Sequence, residues 1–476
     1  MPVLVAAYPP MVDLPQHAAQ ITALREFLSG NPLFVNLFNV SFFNPYWAAY
    51  IPIFFLSRWV GIVVASKLVL FASVVMLPWS AARFLREVGV PDKYFWLLLL
   101  IPFGFSYSAG FVNFLVAIPF GFLFLARVCN CSLQEKLSFR DHIALFCWIN
   151  LLFLLHMLVF LVFCALAAVI FLRTRLSFLD YLKRVSVFLY GMPILLVWMW
   201  SSSFFVASQT SEPGPWDMGW FRIVNFFPAM FGLPPTWVFL LVSVVAVVFL
   251  FITGGRLNRS WWRIAPFGVY ALLMLVGPNY FLGTYYVYNR FDFLGLPLLL
   301  FAMDFGTPYW LSDRVRRLLH IGVVALVVAL LGRQIFAAIL YDRDTLGYQK
   351  VSALIPPGKR VLSMMIYPYD RSYVAPVFLH FPSWYQAEKA GIVDYSFANH
   401  KVMPMQYKKE PEAGRGFEWH PDSFDWTLFQ GDIYDYFVIR SPKDESYLFN
   451  SAPKNRVRLV AYSEGWWLYR NMKDSQ

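Results

Sequence analysis

Apolar residues gather along the chain into runs of near-membrane length, separated by short stretches carrying Pro, Gly, Arg and Lys. The runs fall near residues 62–82, 92–107, 109–127, 141–155 and 157–172, and again near 185–203, 235–253, 264–281, 290–305 and 318–340. A helix needs ~20 apolar residues to cross ~30 Å of hydrocarbon, so the shorter runs must extend into their flanking loops. The pattern predicts an α-helical polytopic membrane protein of about ten spans, or eleven counting a truncated first helix. Residues 42–60 form another apolar stretch, with Pro45 near its start and Arg58 near its end. Counting it as a span inverts every later loop against the charge pattern below. It therefore reads as a juxtamembrane or re-entrant helix in a long first external loop. Irregular backbone at membrane depth is tolerated only under cover of protein or a water-filled cavity, so a cavity is expected beneath it.

After about Asp342 the periodicity changes to mixed polar and apolar. Pro356-Pro357-Gly358 makes a turn before a β-like run from Arg360 to Ile366, and further strands are expected at 436–440, 457–462 and 466–470. The predicted organisation is a first extracytoplasmic loop with amphipathic and juxtamembrane helices (1–61), a transmembrane helical domain (62–341) and a small C-terminal extracytoplasmic α/β domain (342–476).

Composition agrees with a bilayer-embedded chain. Of 476 residues, 59% are hydrophobic and only 14% charged, against about a quarter charged in soluble domains. The mean hydropathy is +0.54. The net charge of +11 is explained by placement rather than by nucleic-acid binding. Alternate connections hold Arg83, Arg86 and Lys93; Arg127, Lys136 and Arg140; Arg173, Arg175, Lys183 and Arg184; Arg256, Arg259 and Arg263; and Arg314, Arg316 and Arg317. The opposite set holds only Arg25, Arg58, Arg222 and Arg290. Sixteen against four assigns the first set to the cytoplasm and both chain ends to the outside. Cys129, Cys131, Cys147 and Cys164 show neither a zinc-ligand spacing nor a disulfide framework. No cleavable signal peptide is legible ahead of Pro9-Pro10.

Phosphate-binding loops, dinucleotide fingerprints, zinc-protease helices and serine-hydrolase elbows are missing from the sequence. What remains is a set of ionisable residues near the outer face. Asp13 and His17, four residues apart, share one face of a helix running to about Ser29. Asp13 reads either as a helix N-cap ahead of Pro15 or as a catalytic carboxylate, and His17 as a polar surface residue or its support. Lys67 lies inside the first span and Arg333 in the outer half of the last. Arg290 opens the span that follows Tyr285-Tyr286-Val287-Tyr288-Asn289. Such cations either snorkel to the surface or form a cradle for a lipid phosphate. His156 splits the apolar stretch from Asp141 to Leu172, at a hairpin tip facing the external cavity or buried in the core.

An acid in the first external loop, a juxtamembrane helix, about ten spans and an external C-terminal domain together resemble GT-C-type membrane glycosyltransferases, specifically their poorly characterised bacterial members. The resemblance is carried by Asp13-Leu14-Pro15-Gln16-His17, Leu155-His156, Tyr288-Asn289-Arg290-Phe291 and the closing Trp467-Leu468-Tyr469-Arg470. It implies sugar transfer from a polyprenyl-phosphate donor to a glycan, lipid or protein acceptor at the periplasmic face of a bacterial inner membrane. It also implies that Asp13 acts as base or orienting carboxylate supported by His17, with Lys67, Arg290, His156 and Arg58 around the lipid phosphate. The resemblance implies no certain cofactor. It leaves room for a divalent metal, against which stand the lack of an acidic neighbour to Asp13 before Glu26 and of an evident third ligand. The competing class is a transporter or flippase for lipid or saccharide, which would need a central path open to both sides.

Overall fold

The computed structural model describes residues 2–173, 177–201, 219–281, 284–308, 310–400, 402–409 and 417–473. It is mostly helical, with a small sheet region at the C-terminal end. Among the described residues four helices are long and apolar enough to cross a membrane: Ile62–Arg86, Val112–Cys131, Phe178–Trp200 and Asp313–Ala353. Shorter apolar helices occupy Tyr50–Val60, Met157–Arg173, Trp237–Ile252 and Trp261–Val276.

The count of membrane-length helices is thus below the ten expected, and backbone chemistry explains where they are lost. The 92–107 run is not one helix but 3-10 turns, Asp92–Leu99 and Ile101–Phe103, followed by the five-residue helix Phe105–Ala109. Pro102 lacks an N–H, and Gly104 and Gly110 bracket the short helix, so no continuous i→i−4 ladder forms. The 290–305 run is also divided, into a 3-10 stretch (Asn289–Leu294), a seven-residue helix (Gly295–Phe301) and a strand (Met303–Phe305) paired with Gly255–Leu257. His156, in extended conformation, separates Phe139–Leu155 from Met157–Ile170. Arg175 and the end of the expected 185–203 span lie outside the described residues.

The stretch 42–60 contains the helix Tyr50–Val60, which packs against Ile62–Arg86. Gly61 between them has φ +77°, a conformation that costs glycine little and other residues more. Ile62–Arg86 in turn packs chiefly on Val112–Cys131, where Gly121 leaves room for the Phe163 ring against its backbone; a Cβ there would lie 2.6 Å from that ring.

The C-terminal strands follow the sequence pattern closely. Arg360–Met365, Tyr436–Arg440, Val457–Ser463 and Trp466–Asn471 form a mixed five-stranded sheet with Ile392–Val393 at one edge and Val457–Ser463 at the other. Glu464 and Gly465, both with positive φ, make the two-residue turn between the last two strands, as hairpin twist requires.

Two features tie regions that the sequence reading separates. Asp313–Ala353 runs unbroken for 41 residues, about 60 Å, across the expected boundary at 342. The first 61 residues also dock onto the C-terminal region. Phe38–Val40 pairs antiparallel with Met405–Tyr407, and helix Leu14–Leu28 lies on helix Ser383–Lys389. Gln16, 1% exposed, donates from Nε2 to Ser383 Oγ (2.9 Å) and Tyr395 O (3.0 Å), and its Oε1 accepts from the Phe397 N–H (3.0 Å).

Gln16→Leu keeps the side-chain volume but orphans buried polar groups on the facing loop. It should lower unfolding stability by about 2–4 kcal/mol, read as a fall in melting temperature of the purified protein in detergent. An unchanged melting point would show that this clasp is dispensable.

Candidate active site

Asp13 is held by its backbone before its side chain is considered. The N–H groups of Val12 and Asp13 donate to Ser108 O (3.1 Å) and Ala109 O (3.0 Å) at the end of the short helix Phe105–Ala109. Gly110 makes this approach feasible: φ is +82°, and a Cβ would fall 2.7 Å from the Asp13 nitrogen. Pro15 sits in the first turn of the following helix, yet the Asp13 carboxylate makes no capping hydrogen bond to it. Instead Oδ1 lies 3.2 Å from Nδ1 of His380.

His380 comes from the C-terminal region, 6% exposed, with its ring stacked on Tyr395 (5.0 Å between centroids) and set edgewise on Phe397. Neither imidazole nitrogen makes a well-directed hydrogen bond to a described residue, so the pair is a close carboxylate–imidazole contact with donor capacity left over. Both side chains line a cavity of about 460 Å³. Its walls include the aromatic rings of Tyr286, Tyr288, Tyr373 and Trp419, together with Arg333 from the long helix. Arg333 is the one Lys or Arg among the described lining residues.

Asp292 also reaches this cavity. It is 3% exposed and accepts the N–H groups of Phe105 (Oδ2, 2.6 Å) and Phe293 (Oδ1, 2.7 Å). The Tyr107 hydroxyl, buried on the same wall, has no hydrogen-bond partner among the described residues.

Of the seven residues singled out from the sequence, Asp13 and Arg333 lie on the cavity wall. His17 is one turn along but does not touch it. His17 Nδ1 is 2.9 Å from the Tyr50 hydroxyl, which itself donates to Gln20 Oε1 at 2.9 Å, so Nδ1 carries the proton. Burial pushes the His17 imidazole down to about 4, with the Asp13 charge only partly opposing this. Arg290 lies with its guanidinium 3.5 Å above the Phe111 ring and its Nε donating to Tyr285 O; it feels the Asp13 charge without reaching the cavity surface. Lys67 donates to Ala6 O (2.7 Å), and nearby Asp342 accepts the Ala7 N–H, so these two groups hold the start of the chain. His156 caps helix Met157–Ile170, its Nδ1 accepting from Leu158 N, and is packed against Tyr46 and Phe114. Arg58 is exposed, over Phe54 and Phe55.

Besides Asp13, two of the cavity's charges had a sequence signal, and Arg333 was already singled out by it. Arg333 and Asp292 each interrupt an apolar run, which marks a group facing an interior space. His380 had none: it sits in Val377-Phe378-Leu379-His380-Phe381 and meets Asp13 only through the tertiary fold. Among the described residues no three His, Cys, Asp or Glu side chains converge as a metal-ligand set. No protein-family model matches the chain, and no curated protein is similar to it.

The depressed His17 has a pH consequence. As pH falls below about 6.5 the unfolded chain protonates this histidine while the native protein does not until about 4. Its contribution to stability is therefore complete above that window and lost on descending through it. In unfolding titrations His17→Gln should flatten the pH dependence between these limits by about 1.4 kcal/mol per pH unit relative to the parent. Parallel curves for the two proteins would contradict a neutral, buried His17.

Proposed function

We propose that the protein transfers a sugar from a polyprenyl-phosphate donor to an acceptor hydroxyl at the outer face of the membrane, as GT-C-type glycosyltransferases do. The observation that carries this reading is the Asp13–His380 contact on the wall of a cavity that also holds an arginine from a membrane-length helix. A carboxylate within reach of a bound hydroxyl can take its proton. As the acceptor oxygen bonds to the anomeric carbon, the bond from that carbon to the phosphate oxygen breaks, and the electron pair leaves with the polyprenyl phosphate. Asp13 receives the hydroxyl proton, and His380 orients the carboxylate. Arg333 faces the departing phosphate, where a guanidinium fork matches the oxyanion geometry. The aromatic rings offer faces for the sugar. No step is routed through a metal.

The proposed sidedness rests on the sixteen-to-four distribution of basic residues. Arg333 is twenty residues into the helix that starts at Asp313, about 30 Å along it, which fits a position near the far side of the hydrocarbon. Both chain ends, the cavity and the sheet then share the extracytoplasmic side, where donors are lipid-carried. Membrane lipids surround the helices, and the acceptor is a glycan, lipid or protein.

Two experiments test this. Glycosyl transfer by purified Asp13→Asn, with a panel of polyprenyl-phosphate sugars, should fall by about a hundredfold to ten-thousandfold with melting temperature unchanged, because the carboxylate serves no cap. Activity within a few-fold of the parent would remove Asp13 from the chemistry. Reporter fusions at Lys136, Arg259 and Arg316 should read cytoplasmic and one at Gly431 external; the reverse readings would place the cavity on the wrong side for a lipid-linked donor.

A further inference from the structure

The cavity wall carries a base and an acid that form no ion pair with another described residue, Arg333 and Asp292. The glycosyl-transfer reading gives Arg333 a phosphate. Asp292 is left without a counterpart. Its two backbone hydrogen bonds use about half of the four acceptor positions a carboxylate offers. An enclosed carboxylate with no cation is an unfavourable arrangement until a proton or a bound cation completes it, and a cation bound there would displace the proton.

The surroundings narrow what that something is. Gly104 leaves the carboxylate its place, since a Cβ there would lie 2.1 Å from Asp292 Oδ2. The wall also presents the unpartnered Tyr107 hydroxyl and the buried side chains of Asn225 and Asn289, which are neutral groups suited to sugar hydroxyls. The phosphate of an uncharged sugar would engage Arg333 and its hydroxyls the amides, but Asp292 would gain no counter-ion. A ligand bearing both a phosphate and an ammonium group matches both charges.

We propose that the cavity selects an amino sugar, whose ammonium group pairs with Asp292 while its phosphate faces Arg333. The phosphate half rests on the glycosyl-transfer reading, whereas the ammonium contact is measurable without any transfer.

The test is equilibrium binding to the full-length protein in detergent near neutral pH. The probes are the 2-amino, 3-amino and 4-amino deoxyglucose 1-phosphates, their N-acetyl counterparts, and glucose 1-phosphate. At least one free amine should bind about tenfold or more tighter than both its acetylated form and glucose 1-phosphate, as a charge-assisted hydrogen bond warrants. Asp292→Asn should bring that probe down to the affinity of glucose 1-phosphate. The proposal is overturned if no free amine outbinds its acetylated form, including the case in which no probe binds, or if the preference survives in Asp292→Asn. Should that variant not fold, the amine-against-acetyl comparison on the unaltered protein decides alone. Full transfer activity in Asp13→Asn would defeat the catalytic reading and leave this binding preference standing, so the two failures are distinguishable.

Discussion

The candidate site is drawn together around one enclosed amide. Gln16 bridges the first helix to residues 383, 395 and 397, and without that bridge Asp13 and His380 belong to opposite ends of the chain. The bridge works because each of its polar atoms has a partner on the facing region, so burying them costs little. A short strand pair, Phe38–Val40 with Met405–Tyr407, fixes the same docking a second time and in a defined register. The contact between Asp13 and His380 is then a by-product of how the chain closes on itself.

Legibility in the sequence followed the range of the physics. Strands at 360, 436, 457 and 466 were readable because local alternation and a two-residue turn decide them. Long helices such as Ile62–Arg86 were readable from apolar content alone. The 92–107 and 290–305 runs have the same content, but there the backbone breaks where proline, glycine and a buried carboxylate compete with the helical ladder. Asp13 was legible as an acid ahead of a proline-started helix. His17, Lys67, Arg290 and His156 were equally conspicuous, and the structure gives them hydrogen-bonding or stacking duties away from the cavity wall. A conspicuous charge in an apolar chain thus marks a satisfied interior contact as readily as it marks chemistry.

The cavity inverts that logic. Its walls hold a hydroxyl, an imidazole, a guanidinium and a carboxylate that the protein itself leaves partly unused. Folding alone gives no return for such groups, since a buried polar atom without a partner is destabilising. Their concentration in one space, at the meeting of the N-terminal segment, the short helix Phe105–Ala109 and the C-terminal loops, is what separates this space from the rest of the interior.

The unbroken helix Asp313–Ala353 has a mechanical consequence. It is a single rod that carries Arg333 on the cavity wall and passes beyond it to pack on the final strands. A rod about 60 Å long that tilts by roughly 10° sweeps its far end through about 10 Å. Membrane helices change tilt with the thickness of the bilayer around them. Were the rod to tilt in this way against the rest of the fold, the spacing between the guanidinium and the opposite wall would change with it, so that the helix would work on this chamber as a lever.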